Sequence, residues 1–147
     1  MAHTVRPPVP ADAEAMARVH VDTWLETYRG IMPDDLLDAP DLLDRRQRMW
    51  TQILAGDPER GLSRTARPEA RHLYVLYAYR SMHGTGVGQD LLDAVIDPTV
   101  TTALWVADPN PRAQAFYSKN GFVADGTVKT DEYDGVREVR MVRPARA

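Results

Sequence analysis

The sequence predicts a mixed α/β domain, and three features predict it. Residues 72–79, His72-Leu73-Tyr74-Val75-Leu76-Tyr77-Ala78-Tyr79, form an almost continuous apolar and aromatic run, the composition of a central strand buried on both faces. That run leads through glycines at 84, 86 and 88 straight into a helical pattern. From there to the C-terminus, strand-like and helix-like segments alternate, as expected of a mixed sheet flanked by helices. With 147 residues the chain has the length of one domain able to bury its own core, so a single domain over residues 1–147 is expected. Hydrophobic residues at 44% and charged residues at 27% are globular values and exclude a disordered chain.

The elements follow in order. A short strand is expected at Thr4 to Arg6. Pro10-Ala11-Asp12-Ala13-Glu14 then opens a helix, with proline and acids where the positive end of the helix dipole lies. Met16, Val19, Trp24 and Thr27 make its apolar stripe, and Gly30 stops it. Pro33-Asp34-Asp35 starts a shorter helix through Leu36 and Leu37, and a third runs from Asp41 to Leu54. Asp57 to Ala70, with prolines at 58 and 68, has neither period and reads as loop or edge. After the central strand and the glycines, Val87, Leu91, Leu92, Val95 and Ile96 share one helical face, ended by Pro98. Thr102 to Ala107 is a second strand, and Asp108-Pro109-Asn110-Pro111 turns into a helix carrying Ala113, Phe116 and Tyr117. Phe122 to Val128 and Val136 to Val142 close the sheet.

Charge and composition narrow the partners. Eighteen basic against 21 acidic residues give a net charge of -3, without the positive field of a nucleic-acid binder. The chain has no cysteine, which excludes disulfides and cysteine nucleophiles and suits a reducing cytoplasm. No stretch approaches the roughly 20 apolar residues that span a bilayer, so a soluble cytoplasmic protein without a membrane partner is expected. The histidines at 3, 20, 72 and 83 show no metal-ligand spacing, and no metal is implied.

Alternating glycines between a strand and a helix leave free N–H groups at the helix N-terminus, a place that binds anions. A P-loop would need lysine and a hydroxyl residue where Gln89-Asp90 stands. A dinucleotide fingerprint is closer, since Asp108 lies 20 residues past Gly88, but Gln89 holds the place of its third glycine. A glycine turn that binds nothing is the third reading of the loop alone.

A fourth reading needs the downstream segment. His83-Gly84-Thr85-Gly86-Val87-Gly88 resembles the acetyl-CoA pyrophosphate loop of the GNAT (Gcn5-related N-acetyltransferase) superfamily, with His83 where arginine or glutamine is usual. Asn110 to Phe122 is similar to that superfamily's segment N-x-x-A-x-x-F-Y-x-x-x-G-F at every fixed position. Trp24, Tyr28-Arg29-Gly30-Ile31 and Pro33 resemble its substrate-side helices, so the likeness covers nearly the whole chain.

The resemblance implies a GNAT acyltransferase fold, shortened in the second and third strand region, because Asp57 to Ala70 offers only 14 residues for a hairpin. An exposed edge there would favour a homodimer. The activity implied is transfer of the acetyl group from acetyl-CoA to an amine, a small molecule or a peptide N-terminus. Backbone groups near Leu76 and Ala78 would hold the pantetheine arm, residues His83 through Gly88 the pyrophosphate, and Asn110 the arm again. Tyr117, a phenol mostly protonated at neutral pH, would donate to the departing thiolate, and His72 stands where many relatives place the glutamate that takes the amine proton. His72 as a strand-edge residue without a role, and His83 as a solvated loop residue, stay open. A weak or inactive acyl-CoA-binding sensor is the alternative function. The acceptor would be chosen near Trp24, Tyr28, Met32, Tyr74, Tyr77 and Tyr133.

Overall fold

The computed structural model of the chain describes residues 3–56 and 71–146, so the expectations for Asp57 to Ala70 lie outside the described residues. Contacts divide the described residues into two compact units: residues 3–56 with 76–95, and residues 71–75 with 96–146.

The first unit is helical. Residues 3–9 form no strand; Pro7, Pro8 and Pro10 cannot donate to a ladder, and Arg6 instead binds the Asp12 carboxylate at 2.7 Å. A 3-10 turn, Pro10–Asp12, leads into helix α1, Ala13–Tyr28. Asp12 also accepts the Val9 N–H at 2.8 Å, and these two partners hold its carboxyl at a pKa of about 2. Helix α1 stops where Gly30 adopts a φ of +85°, the left-handed conformation a C-terminal glycine supplies. Its buried face is Ala13, Ala17, His20 and Trp24, a stripe at steps of four, three and four, with Thr23 buried beside it. Thr27, assigned to the apolar stripe from its spacing, is exposed. Helices α2, Asp34–Leu37, and α3, Leu42–Ala55, follow; α3 packs along α1.

Residues 76–79 also belong to this unit, and here the strand expectation needs correction. Strand β1 covers only Arg71–Leu73, so Leu76 and Ala78 lie beyond its end rather than in a central strand. The reason is visible in the partners of this stretch. The Trp24 indole N–H donates to the Tyr77 hydroxyl at 3.0 Å, the Tyr79 hydroxyl donates to Asp22 at 3.0 Å, and the Arg80 N–H donates to the Glu26 carboxylate at 2.8 Å. The apolar run is thus tied to α1 by its polar tips, and among the described residues its sheet pairing stops at Leu73. A 3-10 turn, Arg80–Met82, and the glycines then lead to helix α4, Val87–Val95. Leu92 is fully buried on it, whereas Val95, assigned to the same face from its spacing, is exposed.

The second unit is a four-stranded sheet in the order β1-β2-β4-β3, with β2 at Thr102–Ala107, β3 at Val123–Thr130 and β4 at Arg137–Arg143. Strand β1 runs parallel to β2, and its ladder ends at Leu73 opposite Leu104; the other pairs are antiparallel. Helix α5, Pro111–Lys119, connects β2 to β3. Leu104, Val106, Phe122 and Met141 form the core, with Leu73, Ile96, Ala113, Tyr117 and Val139 packed against it. Burying each such large apolar side chain stabilises by about 2 kcal/mol. Alternation along the strands sends His72, Trp105 and Arg140 to the opposite face.

Candidate functional site

The glycine loop stands in the first unit. Gly84 and Gly86 have φ of +77° and +90°, which side-chain-bearing residues rarely adopt, and a Cβ built on either would meet nothing within 4 Å. Backbone there is open to a ligand, and it opens onto the first turn of α4, whose N–H groups and dipole favour an anion. The loop is shaped from within: the Thr85 hydroxyl donates to the Met82 carbonyl at 2.6 Å, and the Asp90 N–H to the Gly86 carbonyl at 3.0 Å. His83 is half-buried, with its Nδ1 sealed from solvent and unpartnered among the described residues. Gly88 lies inside α4, and Val87 begins it.

In the same unit α1 and α3 enclose a histidine that sequence spacing did not single out. His20 is 4% exposed; its ring lies 4.7 Å from that of Trp24 and 4.8 Å from that of Tyr77, and its Nδ1 accepts the Trp50 indole N–H at 3.2 Å. Burial, then the Arg46 charge, pushes its pKa down to about 4, so the imidazole is neutral. Helical spacing to Trp24 was the available signal, and it reads as core. Of the aromatic residues expected near an acceptor, Trp24 is buried in this cluster, while Tyr74 and Tyr133 are exposed.

The second unit carries the remaining candidates. Asn110 caps α5: its side-chain oxygen accepts the Ala113 N–H at 3.2 Å, which leaves the amide nitrogen as the donor of its side chain. Gln114 braces the turn before it, donating to the Ala107 carbonyl at 3.0 Å, and Arg137 pairs with Asp108. Tyr117 is half-buried on the core face, its ring 5.4 Å from Phe116 and 5.6 Å from Phe122. His72 is half-buried on the other face, its ring 4.3 Å from Tyr74. Burial lowers the His72 pKa, and the Lys129 and Arg140 cations lower it further. Tyr117 and His72 are therefore in one unit but on opposite sides of its sheet.

The His72 face holds further charged residues that the motifs did not name. The Lys129 ammonium lies 4.5 Å from the Trp105 ring centroid and 3.2 Å from a Glu138 carboxylate oxygen. Arg140 pairs with Asp125 at 3.0 Å. Among the described residues no cluster of three or more His, Asp or Glu could hold a metal ion, and no helix is long and apolar enough to cross a membrane.

A family model described as an acetyltransferase (GNAT) domain matches residues 46–144. The chain is 28% identical over 145 residues to a probable N-acetyltransferase of Mycobacterium tuberculosis, an alignment spanning 86% of this chain and 83% of that protein. In fold it is similar to the PaiA N-acetyltransferase of Thermoplasma acidophilum, solved in complex with coenzyme A, with a TM-score of 0.68 at 16% identity over 98% of this chain and 99% of that one. A Corynebacterium glutamicum structure described as histone acetyltransferase HPA2 and related acetyltransferase gives a TM-score of 0.67 at 22% identity, over 100% of this chain and 98% of the other.

Proposed function

The chain belongs to the acetyltransferase (GNAT) domain family, and from that membership we propose that it moves the acetyl group of acetyl-CoA directly to a primary amine. The observation that carries this reading is the glycine loop: two left-handed glycines with open space above them, at the N-terminus of a nine-residue helix. His83, Gly84, Thr85, Gly86, Val87 and Gly88 take the pyrophosphate through backbone N–H groups. Leu76 and Ala78, beyond the end of the β1 ladder, offer backbone groups to the pantetheine arm, and Asn110 offers its amide N–H to the same arm.

Transfer needs a neutral amine, a stabilised oxyanion and a proton for the leaving thiolate. His72, neutral because its pKa is lowered and on the opposite side of the sheet from Tyr117, takes the proton of the incoming ammonium through water, and the neutral amine nitrogen then bonds to the thioester carbonyl carbon. A backbone N–H near Leu76 meets the oxyanion. The C–S bond then breaks, and Tyr117 supplies the proton to the thiolate. With no cysteine in the chain, the acetyl group is not parked on a thiol of the protein.

The test begins with melting temperature. Acetyl-CoA at 100 times its dissociation constant adds roughly 2.7 kcal/mol to folding, a rise of several degrees at this size. Excess NAD should give none. Tyr117→Phe should retain the acetyl-CoA shift and release free CoA roughly a hundredfold more slowly with an amine present. No shift with acetyl-CoA removes this reading.

A further inference from the structure

The face of the sheet that carries His72 already holds an ammonium group. Lys129 reaches across from β3 so that its Nζ sits 4.5 Å over the Trp105 ring and 3.2 Å from Glu138. An electron-rich indole face with a carboxylate beside it is a complete recognition set for a primary ammonium on an unbranched chain. The ion pair is only partly screened from solvent, with the Lys129 side chain 43% exposed and Glu138 23%, so a competing ammonium can reach it. Asp125 is occupied by Arg140, so among the described residues Glu138 and the indole are the groups that meet the Lys129 ammonium on this face.

We propose that the ring face of Trp105 and the carboxylate of Glu138 form the acceptor-ammonium subsite, held by Lys129 until an alkyl primary ammonium displaces it. This rests on the acetyltransferase reading above and adds the class of acceptor: an ammonium on a flexible, unbranched alkyl chain. The position suits the chemistry, because the amine must surrender a proton before it attacks. His72, on the same face and close enough to feel the Lys129 charge, is the group proposed to take it. Lys129 is thus an internal competitor for the acceptor, and its removal should help the substrate.

Cadaverine is the probe, with CoA release measured at saturating acetyl-CoA, and p-anisidine, uncharged at neutral pH, is the control. Trp105→Leu and Glu138→Gln should each raise the KM for cadaverine roughly tenfold while the KM for acetyl-CoA holds. Glu138→Gln keeps the shape of the side chain and so serves even where Trp105→Leu perturbs folding. Lys129→Ala should lower the KM for cadaverine severalfold. Unchanged cadaverine KM in all three variants, or turnover of p-anisidine in preference to cadaverine, overturns the subsite and leaves acetyl transfer standing. A wild-type protein whose melting temperature ignores acetyl-CoA overturns both.

Discussion

His72 and Tyr117 illustrate what single residues in this chain contribute. Leu73 points into the core, so its neighbour His72 must point to the other face, among Tyr74, Lys129 and Arg140. Burial and the two cations favour the neutral imidazole, which places its titration below the ordinary value near 6.5. A base must be neutral to accept a proton, so kcat/KM should rise with pH through an apparent pKa below 6.5 and then follow the ionisation of the amine. His72→Gln should abolish the lower step and keep the upper one, which a pH-rate profile with a single amine would read. A lower limb that survives the substitution would assign it elsewhere. The candidate roles of Tyr117 and His72 were legible in sequence through the motif and strand position. Their opposite faces followed only once the sheet register was known.

Elements were legible wherever local chemistry decides them. Start and stop residues, such as Pro10 and Gly30 about α1, Asp34-Asp35 at the head of α2, Gly56 after α3, Pro98 after α4 and Pro111 at the head of α5, predict the five helices within a few residues of where they lie. The 72–79 run misled because apolar character alone cannot say which partner satisfies the polar groups. Tyr77 and Tyr79 spend their hydroxyls on Trp24 and Asp22, at positions separated by more than fifty residues in sequence. Asn110 shows a second limit, since one side chain serves both as cap and as candidate ligand donor. Asn110→Ala should cost about 1 kcal/mol of stability through the lost cap. Asn110→Ser should restore the melting temperature yet leave the KM for acetyl-CoA raised, which separates capping from cofactor contact. Recovery of both by serine would show that the amide nitrogen contributes nothing to binding.

Acid stability is a property of the whole molecule to which one buried group contributes strongly. The folded pKa of His20 is about 4 against 6.5 for the free side chain, so between those values the unfolded chain binds more protons than the folded one. Stability from this group is complete above pH 6.5 and is lost as the pH falls toward 4, by roughly 3 kcal/mol in all. Urea unfolding across that window should show the midpoint falling with pH. In His20→Gln, which keeps an acceptor for the Trp50 indole, the same window should be flatter. An identical slope in the variant would place the acid sensitivity in other groups.

Local rules and motif spacing determined the family, the helices, the glycine loop and the residues to suspect, because propensity, capping and conformational freedom act over a few neighbouring positions. The tertiary structure alone decided that the 72–79 run leaves the sheet after Leu73, that His20 is sealed and neutral, and that Lys129 lies over Trp105. Each of those depends on groups far apart in sequence. Which polar group meets which partner, and which charge a ring faces, is set by strand register and helix packing, neither of which a run of neighbouring residues encodes.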